Sequence, residues 1–160
     1  MNQWEQAEKD LASLIGGSVT NDLVLQYKDV DVLTKDYTYS VKWQSQVSKY
    51  NSILFETHLI NTLDNTSMNG SFTSCEADRY AIKWYDNNNK VVWGIFDTQL
   101  LKEVIDQGDW KFQYTNTKTN NNNRRERRKY NSTKMVQVPP SSVINSPAYL
   151  TGINTAQYKV

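Results

Sequence analysis

The 160-residue chain has one cysteine, Cys75, and one histidine, His58. A lone thiol excludes an intramolecular disulfide and any Cys-rich zinc site, and a lone imidazole excludes zinc motifs built on a His pair. No stretch approaches the ~20 consecutive apolar residues of a membrane-spanning helix, and the first residues lack the apolar core of a signal peptide, so a cytosolic protein without membrane partners is expected. The formal net charge is only +1, so the molecule as a whole is not a polybasic nucleic-acid binder. No internal repeat is visible. At this length a single domain spanning residues 1–160 is expected, large enough to bury about 70% of the surface of its unfolded chain.

What the chain does have is an alternating series of elements. Trp4, Ala7, Leu11, Leu14 and Ile15 recur at helical spacing, and Gly16-Gly17 supplies a C-terminal stop. Leu23 to Tyr27, Val30 to Leu33, Tyr37 to Trp43 and Ser52 to Ile60 read as strands. Tyr80 to Tyr85 and Val91 to Phe96 flank Asp86-Asn87-Asn88-Asn89 and read as a hairpin. Asp97 reads as the N-cap of a helix through Ile105, with Gly108 beyond its end. Met135 to Val138 predicts a further strand, stopped by Pro139-Pro140. Between them, residues 116–133 are Asn- and Thr-rich and then strongly basic, which predicts a long loop carrying a function.

The informative segment is Tyr37 to Trp43. Period-2 geometry sends Tyr37, Tyr39, Val41 and Trp43 to one face and Thr38, Ser40, Lys42 and Gln44 to the other. Asp31 lies nine residues before Ser40, and Glu56 sixteen after it, within a following apolar run. Three neighbouring strands would bring two carboxylates and one ammonium together, the kit for metal-assisted phosphodiester hydrolysis. Glu56 has Leu54, His58 and Ile60 on its own face, and a carboxylate in such company is costly unless paired or metal-bound. Glu8 falls on the inward stripe of the first helix, either reaching the site or packing its stem while its head meets water. Asp29 competes with Asp31 by its i, i+2 spacing. Lys42 taken alone reads as a solvated strand lysine, and His58 as a structural or surface residue and not a ligand.

Asp31, Ser40-Val41-Lys42 and their placement on strands after a helix resemble the PD-(D/E)xK nucleases, over about residues 4 to 105. In that motif an aspartate precedes a strand bearing a carboxylate, any residue, then lysine. This chain departs from it in having Ser40 at the acidic position, as in the subset of the superfamily where the carboxylate has migrated along the chain, and Glu56 stands where such a carboxylate is expected.

The resemblance implies an α/β restriction-endonuclease-like core, with a mixed central sheet flanked by helices. It implies a DNA endonuclease using Mg²⁺, or Mn²⁺ as substitute, with Asp31, Glu56 and the Val41 carbonyl as ligands. Lys42 would orient the attacking water or stabilise phosphorane charge, Ser40 would hydrogen-bond a metal-bound water, and Glu8 and Gln44 would assist. Arg124, Arg125, Arg127, Arg128 and Lys129 would contact DNA phosphates, and a homodimer or higher symmetric oligomer would supply one centre per strand. A phage or mobile-element setting fits the small, Asn-rich chain. The competing expectation is a non-catalytic nucleic-acid-binding or phage assembly protein, in which Ser40 marks a decayed site.

Overall fold

The computed structural model describes residues 2–116 and 129–159. The arginines at 124, 125, 127 and 128 lie outside the described residues, and Lys129, beside them, is exposed.

The first helix, α1 (Gln3–Ile15), begins where the Asn2 side chain accepts a hydrogen bond from the Glu5 N–H at 2.9 Å. It ends at Gly16, whose φ of +71° is a left-handed conformation that glycine adopts without a Cβ penalty. Its buried stripe is Ala7, Leu11 and Ala12, while Trp4 and Leu14, expected inward, stand 52% and 54% exposed. After β1 (Ser18–Val19) comes α2 (Leu23–Tyr27), a helix where the apolar run predicted a strand. The reason is local: the Asp22 carboxylate accepts from the Val24 and Leu25 N–H groups, and this cap commits the run to a helical turn.

β2 (Val32–Leu33) and β3 (Thr38–Gln44) follow as an antiparallel pair. The chain then leaves this sheet through α3 (Val47–Tyr50), β4 (Ile53–Ile60), β5 (Ser67–Asn69) and α4 (Ser71–Ser74). It returns as β6 (Arg79–Tyr85), parallel to β3, with Ser40 beside Tyr80 and Lys42 beside Ile82. A parallel pair needs such a crossover, because a tight turn cannot reverse twice. Its register is pinned where Asp78 Oδ2 accepts from the Thr38 N–H at 2.9 Å and the Asp78 N–H donates to Thr38 Oγ1 at 3.0 Å.

The expected hairpin forms: β7 (Val91–Asp97) pairs antiparallel with β6, and Asp86 accepts from the Asn88 and Lys90 N–H groups across its turn. Asp97 caps α5 (Thr98–Gln107), accepting from the Leu100 N–H at 2.9 Å. β8 (Lys111–Asn116), β9 (Ser132–Val138), α6 (Pro140–Ile144) and β10 (Tyr149–Ile153) complete the chain. β8 and β10 are strands that the periodicity did not announce.

The fold is mixed α/β. One sheet has order β1-β2-β3-β6-β7-β10 and is antiparallel except at β3–β6, and a second antiparallel sheet has order β5-β4-β9-β8. α1 covers one face of the first sheet, packing on Val32, Val41, Ala81 and Trp93. The opposite face contributes Tyr80, Ile82, Trp84 and Phe96 to a core shared with Phe55 and Val138 of the second sheet and with Leu101 and Ile105 of α5. At its centre Phe72 lies 4.8 Å from Phe55 and 5.2 Å from Tyr80, ring centre to ring centre. Phe55→Ala is expected to lower unfolding free energy by roughly 3–5 kcal/mol in denaturant titration. Phe112→Ala, at a 53% exposed aromatic of the same sheet, should change it far less.

Candidate active site

Asp31 sits one residue ahead of β2, and its main chain already belongs to the ladder, its N–H donating to the Tyr39 carbonyl at 2.8 Å. One step further along β3 the partner strand has ended. There the Asp31 side chain takes over, Oδ2 accepting from the Val41 N–H at 2.8 Å. The aspartate is therefore fastened to the Ser40–Val41 peptide, one residue before Lys42. Burial pushes its pKa up and the Asp29 charge adds to this, while the Lys42 ammonium and the Val41 N–H pull it down. Asp29 itself is in a left-handed turn, φ +61°, after α2, and not on a strand.

Glu8 reaches the same place from α1. Its pKa is pushed up to about 7, first by burial, then by the charges of Asp31 and Glu5, with Lys42 opposing. The charges of Asp31 and Lys42 thus both act on Glu8, and that of Lys42 on Asp31, although the three come from a helix, a strand entry and a strand middle. The helix is held there by Lys83 of β6, whose Nζ lies 3.0 Å from Asp10 Oδ2. Burial would raise the pKa of Asp10, but hydrogen bonds from Gln6 and Lys83 outweigh it and hold it below the usual value.

Glu56 approaches from elsewhere. It lies on β4, in the second sheet, and not on a strand adjacent to β3 as expected. It nevertheless shares with Lys42 a cavity of about 370 Å³ between the two sheets, which Tyr80 and Ser71 also line. Glu56 Oε1 accepts from the Ser71 N–H at 3.1 Å. Gly70 makes this approach possible, since a Cβ there would stand 2.6 Å from the Glu56 carbonyl oxygen and 2.8 Å from its Cγ.

Tyr80 is the residue that sequence reasoning missed. Its ring centre lies 5.9 Å from Lys42 Nζ, and burial raises its pKa well above the ordinary value, with the charges of Asp29, Glu56 and Asp31 contributing. Only the parallel pairing of β6 with β3 puts it there, and nothing local in the sequence announces a pairing across so long an excursion.

Two expected participants are placed away from that chemistry. Ser40 is fully buried, its hydroxyl without a hydrogen-bond partner of good geometry and set near the Cys75 thiol, whose pKa burial raises. It is fully enclosed and does not line the cavity that Lys42 and Glu56 share, so a hydrogen bond to a metal-bound water does not suit it. Gln44 is a clamp: its Nε2 donates to the Leu54 carbonyl at 2.8 Å and its Oε1 accepts from the Leu54 N–H at 3.1 Å. That double bond ties β3 to the entry of β4 and leaves the amide committed to structure in place of a phosphate or water. His58, with Nδ1 3.0 Å from Thr57 Oγ1, lines a different cavity.

Among the described residues, no three acidic, histidine or cysteine side chains come together as a metal-binding group. No helix of the described chain is long and apolar enough to cross a membrane. The chain matches no family model, no curated protein and no solved structure.

Two outcomes follow from these contacts. Because the Glu8 carboxyl is raised in the folded protein, folding binds protons, and its stabilising share is present below the unfolded value of 4.5 and lost as pH rises through about 7. Without divalent cations, Glu8→Gln should flatten the fall of Tm with pH across that window; an unchanged profile would show that Glu8 is ordinarily solvated. Gln44→Ala strips the Leu54 peptide groups of their partner and should cost about 1–3 kcal/mol in chemical unfolding.

Proposed function

We propose that this chain is a metal-dependent DNA endonuclease with a restriction-endonuclease-like core. The observation that carries the reading is the hydrogen bond from the Val41 N–H to Asp31 Oδ2, which joins the aspartate before one strand to the lysine-bearing segment of the next. The order around it supports the same reading: a helix, an antiparallel run β1-β2-β3, then β6 parallel to β3 after a long crossover.

The donor set fits a hard divalent ion. Mg²⁺ is usually held by one or two carboxylates, with waters and substrate phosphate completing an octahedral shell, so a pair suffices. Glu8 is raised by burial and by the Asp31 charge, and Asp31 by burial and by the Asp29 charge, with Lys42 the opposing cation for both, and such crowding favours a bound cation. In this reading Asp31 and Glu8 hold Mg²⁺, or Mn²⁺ in its place. The Val41 carbonyl is a further oxygen ligand, since it leaves an extended residue on the same strand edge as its N–H. Glu56, on the facing wall, is the other candidate for the second carboxylate. The ion would lower the pKa of a water and take up charge on the scissile phosphate.

Lys42 orients that water or neutralises charge on the phosphorane. Tyr80 forms the apolar wall beneath the ammonium, and Gln44 keeps the facing sheet in place. Arg124, Arg125, Arg127, Arg128 and Lys129 supply sequence-independent phosphate contacts, and a symmetric assembly places one centre on each strand of a duplex.

The second reading, a nucleic-acid-binding or assembly protein with a decayed site, draws on one observation: the position that carries an acid in the resembled motif is the buried Ser40. Cleavage of plasmid and four-way-junction DNA with Mg²⁺ against EDTA separates the two. Wild-type protein should cut only with the metal, and Asp31→Asn and Lys42→Ala should each lose roughly 10²-fold or more in rate. Glu8→Gln should cost at least as much as Glu56→Gln; the reverse order would make Glu56 the second ligand. DNA binding without cleavage by the wild type would favour the decayed site.

A further inference from the structure

The cavity between the sheets has walls that hydrolysis alone does not call for. Trp4, from the first turn of α1, stands at it 52% exposed, a large apolar ring that the core does not use. The other indole nearby, Trp43, is occupied, its Nε1 donating to Gln3 Oε1 at 2.8 Å and its ring meeting Tyr85 edge-on at 4.9 Å. Besides Lys42 and Glu56, the lining includes the thioether of Met135 and the hydroxyls of Ser45 and Ser71. An aromatic plane, a soft apolar neighbour and small hydrogen-bonding groups are what a single nucleobase needs: a face to stack on and partners for its polar edge. A volume of about 370 Å³ is at the small end of ligand sites, which run from ~300 to ~1,000 Å³, and suits one nucleotide-sized group. A paired duplex presents its bases edge-on within grooves and offers no free face to an indole.

The geometry points to a base pocket in which Trp4 stacks one unpaired nucleobase of the nucleic acid held at the Lys42 site. The inference rests on the proposed nuclease reading and specifies its substrate: a strand with an unpaired nucleotide, at a flap, junction or single-stranded end. Trp4 makes no bond to the reacting phosphate; it positions the strand by holding the neighbouring base.

The test reads binding apart from cleavage. Oligonucleotides carrying 2-aminopurine at an unpaired position are titrated with the full-length protein with Ca²⁺ in place of Mg²⁺, and stacking is followed as quenching of the probe. Wild type should quench it and bind it more tightly than the fully paired duplex of the same sequence. Trp4→Ala should weaken binding of the unpaired probe by roughly five- to a hundredfold and abolish the quench, while Trp4→Phe retains most of both. Trp4→Leu, apolar but unable to stack, should behave like the alanine variant. Since position 4 is exposed and alanine favours helix, loss of fold is not expected, and circular dichroism of each variant checks it. Equal binding of paired and unpaired probes, or an unchanged quench in Trp4→Ala, overturns the pocket. With Mg²⁺ restored, cleavage by wild type that is indifferent to Trp4 leaves the nuclease and removes the pocket. Stacking without cleavage leaves the pocket and removes the nuclease.

Discussion

The 2.8 Å bond from the Val41 N–H to Asp31 Oδ2 is a small contact on which much of the molecule is arranged. β2 is only two residues long, and where it stops, β3 would expose an unpaired edge peptide. A side-chain carboxylate replaces the missing strand. The replacement has a cost, because the aspartate must lie in a place where burial disfavours its charge, and the nearby ammonium of Lys42 offsets part of it. An alanine at position 31 would leave the peptide edge bare. An asparagine could accept the same hydrogen bond but would bring no charge to face Lys42. The structural and chemical demands on position 31 are therefore separable, and only the second requires an acid.

The two sheets depend on each other through the excursion between β3 and β6. By leaving the first sheet, the chain builds β4 and β5 of the second and returns parallel, so that Tyr80 stands beside Ser40 and beneath Lys42. The Gln44 clamp holds the exit of β3 to the entry of β4, and the Thr38–Asp78 exchange holds the entries of β3 and β6 together. The cavity between Lys42 and Glu56 is thus bounded by hydrogen-bonded strand ends, while its floor is the aromatic core. A pocket held in this way keeps its shape through packing, which suits a site that must fix the position of charges.

Much of this was legible from local signals. Caps and stops placed α1 and α5, the Asp86 turn placed the β6–β7 hairpin, alternation placed β3, and a β-like apolar run placed β4. Where local signals competed, the reading failed. The Leu23–Tyr27 run has the composition of a strand, but the Asp22 cap, accepting from the Val24 and Leu25 N–H groups, made it a helix. β8 escaped because Phe112 and Tyr114 alternate outward and remain exposed, the reverse of a half-buried strand. At the site, Glu8 was legible because helical periodicity turns it inward, and Asp31 and Lys42 because spacing tied them to one strand pair. Glu56 was legible as a carboxylate in apolar company, yet its sheet was not, since periodicity says which face a residue takes and nothing about which strands become neighbours.

The charge balance around the cleft bears on how a nucleic acid could approach it. Glu8, Asp29 and Asp31 act on one another or on common neighbours, and Glu56 joins Asp29 and Asp31 in acting on Tyr80. Lys42 opposes Asp31 and Glu8, while Lys83 is engaged with Asp10. The acids named here outnumber the cations, and a field of that sign opposes phosphate. The cationic run of residues 124–129 raises attraction at long range, but a local acidic field is opposed only by charge placed within it. On the proposed reading, a divalent cation does more than activate water: it reverses the sign of the potential that a phosphate meets. Affinity for nucleic acid at the cleft and chemistry at the cleft then share one requirement, so the motif serine is tolerable provided the remaining carboxylates still hold the ion.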